Sequence, residues 1–136
     1  WTNDYARVET SPSSCVRTHL RSPGGILGRH DDLIIYRGAK FYPIQVEDIV
    51  RSFPELSNEF RVEMHSDEAT GRDRCVVVAE ALSGNSQDSL LGSLREKLRG
   101  TLQVTPEIEL LAPGSFERTT FKAQRFVDHR KTVKEA

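Results

Sequence analysis

The groups that could do chemistry in this chain are few and scattered. Asp31 and Asp32 are adjacent acids inside Gly28-Arg29-His30-Asp31-Asp32. Paired carboxylates suggest general acid–base work, but neighbours in an extended turn point apart and do not converge on one atom. The four histidines, His19, His30, His65 and His129, show no ligand or triad spacing and read as exposed polar residues. Cys15 and Cys75 lie far apart without metal spacing. Both read as free thiols of a cytosolic protein, Cys75 as a small core residue and Cys15 on a loop. Lys122 is one of 19 Lys and Arg residues, and its type alone describes a solvated cation.

Position decides what these groups can do, so the elements that carry them come next. Residues 1 to 27 hold two clusters of loop formers, Thr10-Ser11-Pro12-Ser13-Ser14 and Ser22-Pro23-Gly24-Gly25, which leave no room for a long helix or strand. Gly28 to Asp32 then turns into the β-branched run Leu33 to Tyr36, and Arg37-Gly38 makes a second tight turn. Pro43 starts a helix, with Glu47 and Asp48 suited to its positive end. Val46, Ile49, Val50 and Phe53 repeat at helical spacing along one face, and Pro54 stops it. Phe60, Val62 and Met64 alternate with Arg61, Glu63 and His65 as in a half-buried strand. A polar loop, Ser66 to Asp73, leads to the apolar Cys75 to Ala79, which has the composition of a central strand. Leu91, Leu94, Leu98 and Leu102 mark a second helix, weakened near its end by Gly100. Glu107 to Leu111 is a last short strand. The order strand–helix–strand–strand–helix–strand predicts an α+β fold, βαββαβ-like, with two helices on one face of a small, mainly antiparallel sheet.

Bulk properties exclude several partners. The 136 residues amount to one domain, with 37% hydrophobic residues giving a single lean core. A formal charge of −1 provides no field to draw in nucleic acid or an anionic membrane. No run approaches the ~18 apolar residues of a membrane span. No charged-then-apolar segment of signal-peptide type opens the given sequence, and Trp1 is not an initiator Met, so the chain reads as a fragment or a processed piece. Its free thiols read as those of a cytoplasmic protein.

Two ordered motifs give the chain a family likeness. Gly28-Arg29-His30-Asp31-Asp32, followed by Arg37-Gly38-Ala39-Lys40-Phe41-Tyr42-Pro43-Ile44-Gln45-Val46-Glu47, resembles the crossover between the large and small domains of adenylate-forming ligases, most of all phenylacetate-CoA ligase and its relatives. Gly114-Ser115-Phe116-Glu117-Arg118-Thr119-Thr120-Phe121-Lys122-Ala123-Gln124-Arg125-Phe126-Val127-Asp128 is similar to that family's closing motif. The resemblance implies that residues 1–27 end an incomplete N-terminal domain, that 28–32 are a hinge and that 33–136 are the C-terminal lid. It makes Lys122 the catalytic cation of adenylation and Asp31 the hinge. Asp4, in Thr2-Asn3-Asp4, falls where the family binds the ribose hydroxyls of ATP. Arg29, and the Gly38-Ala39-Lys40 loop that would line the pantetheine path, complete the implied nucleotide and coenzyme A contacts.

The resemblance further implies an enzyme that uses ATP and Mg2+ to form an acyl-adenylate and passes the acyl group to coenzyme A. Its partners would be the upstream adenylation domain, a carboxylic acid and coenzyme A; a homodimer is compatible, and the isolated chain should be inactive. Two departures stand out. Phe121 replaces the family's Gly before the lysine, where a Gly permits close backbone approach. Ser13, Cys15 and Val16 replace part of a Cys-x-Cys-Gly run, which removes the ground for a metal there. The competing readings are a non-catalytic α+β interaction module and an adenylating enzyme with a carrier-protein or amine acceptor.

Overall fold

In the computed structural model, residues 2–11, 19–83, 87–117 and 124–130 are described. Their first element is an antiparallel ribbon of β1 (Asp4–Ala6) and β2 (Ile26–Arg29), pairing Asp4 with Arg29 and Tyr5 with Gly28. These strands, of three and four residues, are too short to show a period, and turn formers lie between them, so the sequence reads here as loop. Gly28 lies under the Tyr42 ring, where an added Cβ would come within 2.9 Å of ring carbons. A side chain at this position would force the ring to move.

A 3-10 turn, His30–Asp32, leads into the hairpin of β3 (Ile34–Tyr36) and β4 (Ala39–Phe41). Arg37 and Gly38 sit at φ 48° and 83°, the two positive dihedrals that a two-residue hairpin turn requires. Helix α1 (Pro43–Arg51) follows directly. Pro43 opens it as expected, but the first turn holds no acid. Instead Gln45 Oε1 accepts the Tyr42 backbone N–H at 2.9 Å, which satisfies one of the orphan donors at the helix start. Glu47 pairs with Arg51 one turn on.

The main sheet has the order β7-β6-β5-β8. Its centre is the long antiparallel pair β5 (Leu56–Asp67) and β6 (Arg72–Ala81). At the turn, Asp67 accepts from Ala69 N at 3.0 Å and Thr70 Oγ1 at 2.7 Å. The Thr70 hydroxyl bond is the main reason that this carboxyl lies below its usual range. Helix α2 (Gln87–Leu102) crosses back to β7 (Glu107–Leu111), which therefore lies parallel to β6. On the other edge β8 (Phe126–Asp128) runs parallel to β5. The sheet is thus mixed, antiparallel at its centre and parallel at both flanks. The expected α+β class holds, while among the described residues the first expected strand, Leu33–Tyr36, pairs with β4 in a separate two-stranded sheet, and the place beside β5 in the main sheet belongs to β8.

Alternation along β5 puts Phe60, Val62 and Met64 on the core side, opposite Ala79, Val77 and Cys75. Val46, Ile49 and Val50 of α1 and Leu94, Leu98 and Leu102 of α2 close over them, so both helices share one face of the sheet. Burial pushes the Cys75 thiol up to about 12, which fits the inert core thiol expected from the sequence.

Candidate functional site

The β1–β2 ribbon brings together residues that the sequence separates by some two dozen positions. Cross-strand pairing sets Asp4 beside Arg29, with Oδ1 3.7 Å from Nε. Arg29 also reaches Asp31, its Nη2 3.6 Å from Oδ2. Asn3, at φ 58°, donates its side-chain amide to Asp31 at 3.5 Å, and its carbonyl accepts the His30 N–H at 2.8 Å. Tyr5 stacks on His30 and tilts against Tyr42. Three of the sequence-predicted residues, Asp4, Arg29 and Asp31, therefore form one polar cluster with long, exposed contacts. Such contacts stabilise little, since solvent screens them. Asp31 and Asp32 do not act as a pair: Asp31 faces Arg29 and Asn3, and Asp32 lines the groove described next.

A groove of about 560 Å³ runs from this cluster along the start of α1 to β8. Gly28, Arg29 and Asp32 line one end, Tyr42, Pro43, Ile44 and Glu47 the middle, and Gln124, Arg125 and Phe126 the far end. The hinge-like motif and the end of the closing motif thus share one cavity. Gly38, Ala39 and Lys40 lie instead at the β3–β4 turn, and no hydrogen bond or ion pair among the described residues joins Lys40 to the Asp4–Arg29–Asp31 cluster. Lys122 and Phe121 lie outside the described residues, as does Cys15.

The chain is anchored on both sides of the stretch that holds Lys122. Before it, Phe116 N donates to the buried Glu80 at 3.1 Å, and the Arg61 guanidinium lies over the Phe116 ring. After it, Arg125 donates to Glu59 at 3.1 Å and to the Phe60 carbonyl at 3.2 Å, and stacks on the Phe60 ring. Val62 N donates to the Arg125 carbonyl at 2.8 Å, which ties the anchor to the sheet. Sequence reasoning gave Glu59 and Glu80 no role. The signal for Glu80 was a lone acid in an apolar run, which a buried site must satisfy with hydrogen bonds.

The model of the AMP-binding enzyme C-terminal domain matches residues 38–130. This chain belongs to that family. Among curated relatives of the AMP-binding C-terminal domain, the phenylacetate-coenzyme A ligase of Thermus thermophilus is 32% identical over 148 residues, covering 96% of this chain and 33% of the relative. The chain therefore spans about a third of the length of that relative. A crystallised domain of phenylacetate-coenzyme A ligase from Bacteroides vulgatus superposes with a TM-score of 0.67 at 29% identity, over 75% of this chain and 96% of that one. The 2-hydroxyisobutyryl-CoA ligase in its postadenylation state, with R3-HIB-AMP bound, gives 0.80 at 26% identity, over 93% and 27% of the two chains. The same ligase in its thioesterification state, with 2-HIB-AMP and CoA, gives 0.66 at 26% identity over 95% and 28%.

Proposed function

We propose that this chain is the lid portion of an ATP-dependent acyl- or aryl-CoA ligase, which activates a carboxylic acid as its adenylate and transfers the acyl group to coenzyme A. The observation that carries the reading is the shared groove: the Gly28-to-Asp32 motif and the Gln124-to-Phe126 end of the Lys122 motif line one cavity. A lid that changes orientation needs its pivot and its reacting segment mechanically linked, and this groove is where they meet. The likeness to phenylacetate-coenzyme A ligases at both sequence and fold level supports the substrate class.

In this reading residues 1–27 complete the upstream domain, 28–32 are the pivot and 33–136 are the lid. Asp4 accepts hydrogen bonds from the ribose hydroxyls of ATP, placed by its cross-strand pairing with Arg29 in the ribbon. Lys122 supplies positive charge where it develops between carboxylate and α-phosphate, the arrangement that lowers a barrier most when preorganised. Turning about Asp31 then withdraws Lys122 and brings the Gly38-Ala39-Lys40 turn to the coenzyme A path. The 3-10 turn at His30–Asp32 is a short, exposed element closed by one long internal backbone bond, Leu33 N to the His30 carbonyl at 3.4 Å, and tied to the ribbon by the His30 N–H on the Asn3 carbonyl at 2.8 Å. Little has to break for it to rotate. The better superposition on the postadenylation state than on the thioesterification state supports this pivot, since identity and coverage are nearly equal in the two comparisons.

Magnesium would accompany the ATP phosphates. Among the described residues the grouping with three potential ligand atoms contains two imidazoles, a poor match to a hard cation that takes oxygen, so no step is assigned to Mg2+ in this chain. The free, buried Cys75 fits the cytoplasmic setting proposed for the enzyme, and no helix among the described residues is long and apolar enough to cross a membrane. A carrier-protein or amine acceptor, or a non-catalytic module, has no specific observation in its favour.

Asp31→Pro in the full-length protein tests the pivot. Proline fits the φ of a 3-10 turn, roughly −50 to −70°, near its start. The variant should hold the lid as seen here. Pyrophosphate exchange, which follows adenylation, should persist, while thiol consumption in the second step should fall at least tenfold. Equal loss of both steps in a folded protein would remove Asp31 from the mechanism.

A further inference from the structure

The sheet face turned away from the helices carries a cluster that the hinge groove does not use. Glu63 and His65 stand two apart on β5, so strand alternation sends both to this outer face. β8 aligns Val127 with Glu63, and His129 follows one residue beyond the strand, its N–H donated to the Met64 carbonyl at 2.8 Å. As a result Glu63 Oε2 lies 3.1 Å from His65 Nε2 and 3.9 Å from His129 Nε2. The two imidazoles stack with centroids 4.7 Å apart, and one ligand atom from each of the three residues lies within 4.8 Å of the others.

We propose that Glu63, His65 and His129 bind one Zn2+ ion, through Nε2 of each imidazole and Oε2 of the carboxylate, with water in the fourth position. Two imidazoles and a carboxylate form a donor set for zinc rather than for magnesium or calcium, which take oxygen. Tetrahedral bonds of about 2.0–2.2 Å place ligand atoms roughly 3.3 Å apart. The two separations from Glu63 already bracket that distance, and the remaining gap closes by rotating side chains that are partly exposed.

The surrounding charges favour the same assignment. Arg74 is taken by Glu107, and Arg130 by Asp128 and Asp73. Arg61 is the arginine that reaches Glu63, and it does so at Oε1, 3.5 Å away, leaving Oε2 to the histidines. It would then hold the carboxylate in place from behind, as outer partners of metal ligands commonly do. A bound ion would tie β5 to the chain just past β8. It would so fasten the strand that follows Lys122.

The test is a titration of the metal-stripped full chain with Zn2+ at neutral pH against a chelating dye, with Co2+ as a spectroscopic stand-in. One equivalent should bind with micromolar or tighter affinity, and Co2+ should give the visible bands of nitrogen and oxygen coordination. His65→Gln and His129→Gln should each weaken binding at least tenfold, since loss of even an outer partner costs about 10–100-fold. His19→Gln and Cys15→Ser should bind as the parent does, with circular dichroism confirming the fold of every variant. Backbone amides of β8 should exchange more slowly with Zn2+ bound. Failure to bind one equivalent would overturn the proposal, and so would binding that survives both glutamine variants or disappears with Cys15 or His19.

Discussion

The β1–β2 ribbon and the β5–β6 pair are both antiparallel, and they are held together by different forces. In the middle of β5–β6 alternate side chains, Phe60, Val62 and Met64 facing Ala79, Val77 and Cys75, enter a core shared with both helices, and Val62 and Val77 are wholly buried. In the ribbon, Tyr5, Ile26 and Leu27 are all exposed, and the side-chain contacts are polar and long. Apolar burial stabilises at about 25 cal/mol per Å², whereas exposed ion pairs are worth a fraction of a kcal/mol at most sites. The ribbon is therefore a poor structural unit by itself and a suitable one to lie against another surface. That agrees with the proposal that it completes an upstream domain, and it teaches that the proposed pivot adjoins a region that does little to stabilise itself.

The sharpest way to separate the two regions is through the reaction. Lys122→Ala in the full-length protein should slow adenylation by about 10²–10³-fold, the usual cost of one preorganised charge. Transfer from preformed adenylate should change little, because the proposed second orientation no longer uses this residue. Phe121→Gly should leave adenylation equal or faster. Loss of both half-reactions together in Lys122→Ala would make the lysine part of the packed body instead.

Stability offers the next contrast. Leu98, fully buried between helix and sheet, should cost about 2–5 kcal/mol when cut to Ala, as core leucines do. Ile26, 57% exposed on the ribbon, should change stability by less than about 0.5 kcal/mol. Urea unfolding of this chain measures both. A large effect of Ile26→Ala would show that the ribbon is an integral part of the core.

Much of this contrast was legible in the sequence. Both helices and β7 announce themselves, because a stripe of Val, Ile or Leu at helical spacing, or a short run such as Glu107 to Leu111, has few other ways to bury itself. β8 was not legible as a strand: three residues carry no period, and its pairing with β5 depends on a return of the chain from far away. For the same reason the grouping of Glu63, His65 and His129 is hard to see in the sequence, where the histidines look scattered and exposed. A local signal existed, since Glu63 and His65 at i and i+2 on a predicted strand must share its polar face. His65 is in fact half-buried against Glu63 and the His129 ring. Asp4, Arg29 and Asp31 were singled out by motif, and only the ribbon's register explains why they touch.

The smallest expected effect concerns the sheet's edge. Arg74 grips Glu107 across β6 and β7, and this hydrogen-bonded pairing holds the Glu107 carboxyl below its ordinary value. A lowered carboxyl stabilises the fold above the unfolded-state value, near pH 4.3, and the gain is lost as pH falls through the lowered one. Glu107→Gln should therefore be slightly less stable than the parent at neutral pH. The difference should vanish in thermal melts carried below the carboxylate range. A difference that persists in strong acid would mean the pair acts through packing.

The parallel docking of β8 on β5 also bears on how the molecule assembles in time. The β5–β6 hairpin closes a four-residue turn, and α2 forms next to it in the chain, so their contacts need only short loops. β8 must find β5 across the whole of that hairpin, α2 and β7, and long-range closure is the slow, entropically costly part of folding. The helix-covered core can thus condense before the strand beyond Lys122 takes its place. If the proposed role of Lys122 holds, the lid would acquire its shape early and the strand that follows its reacting segment last, so that the anchor beyond that lysine would be set only when the rest of the fold is complete.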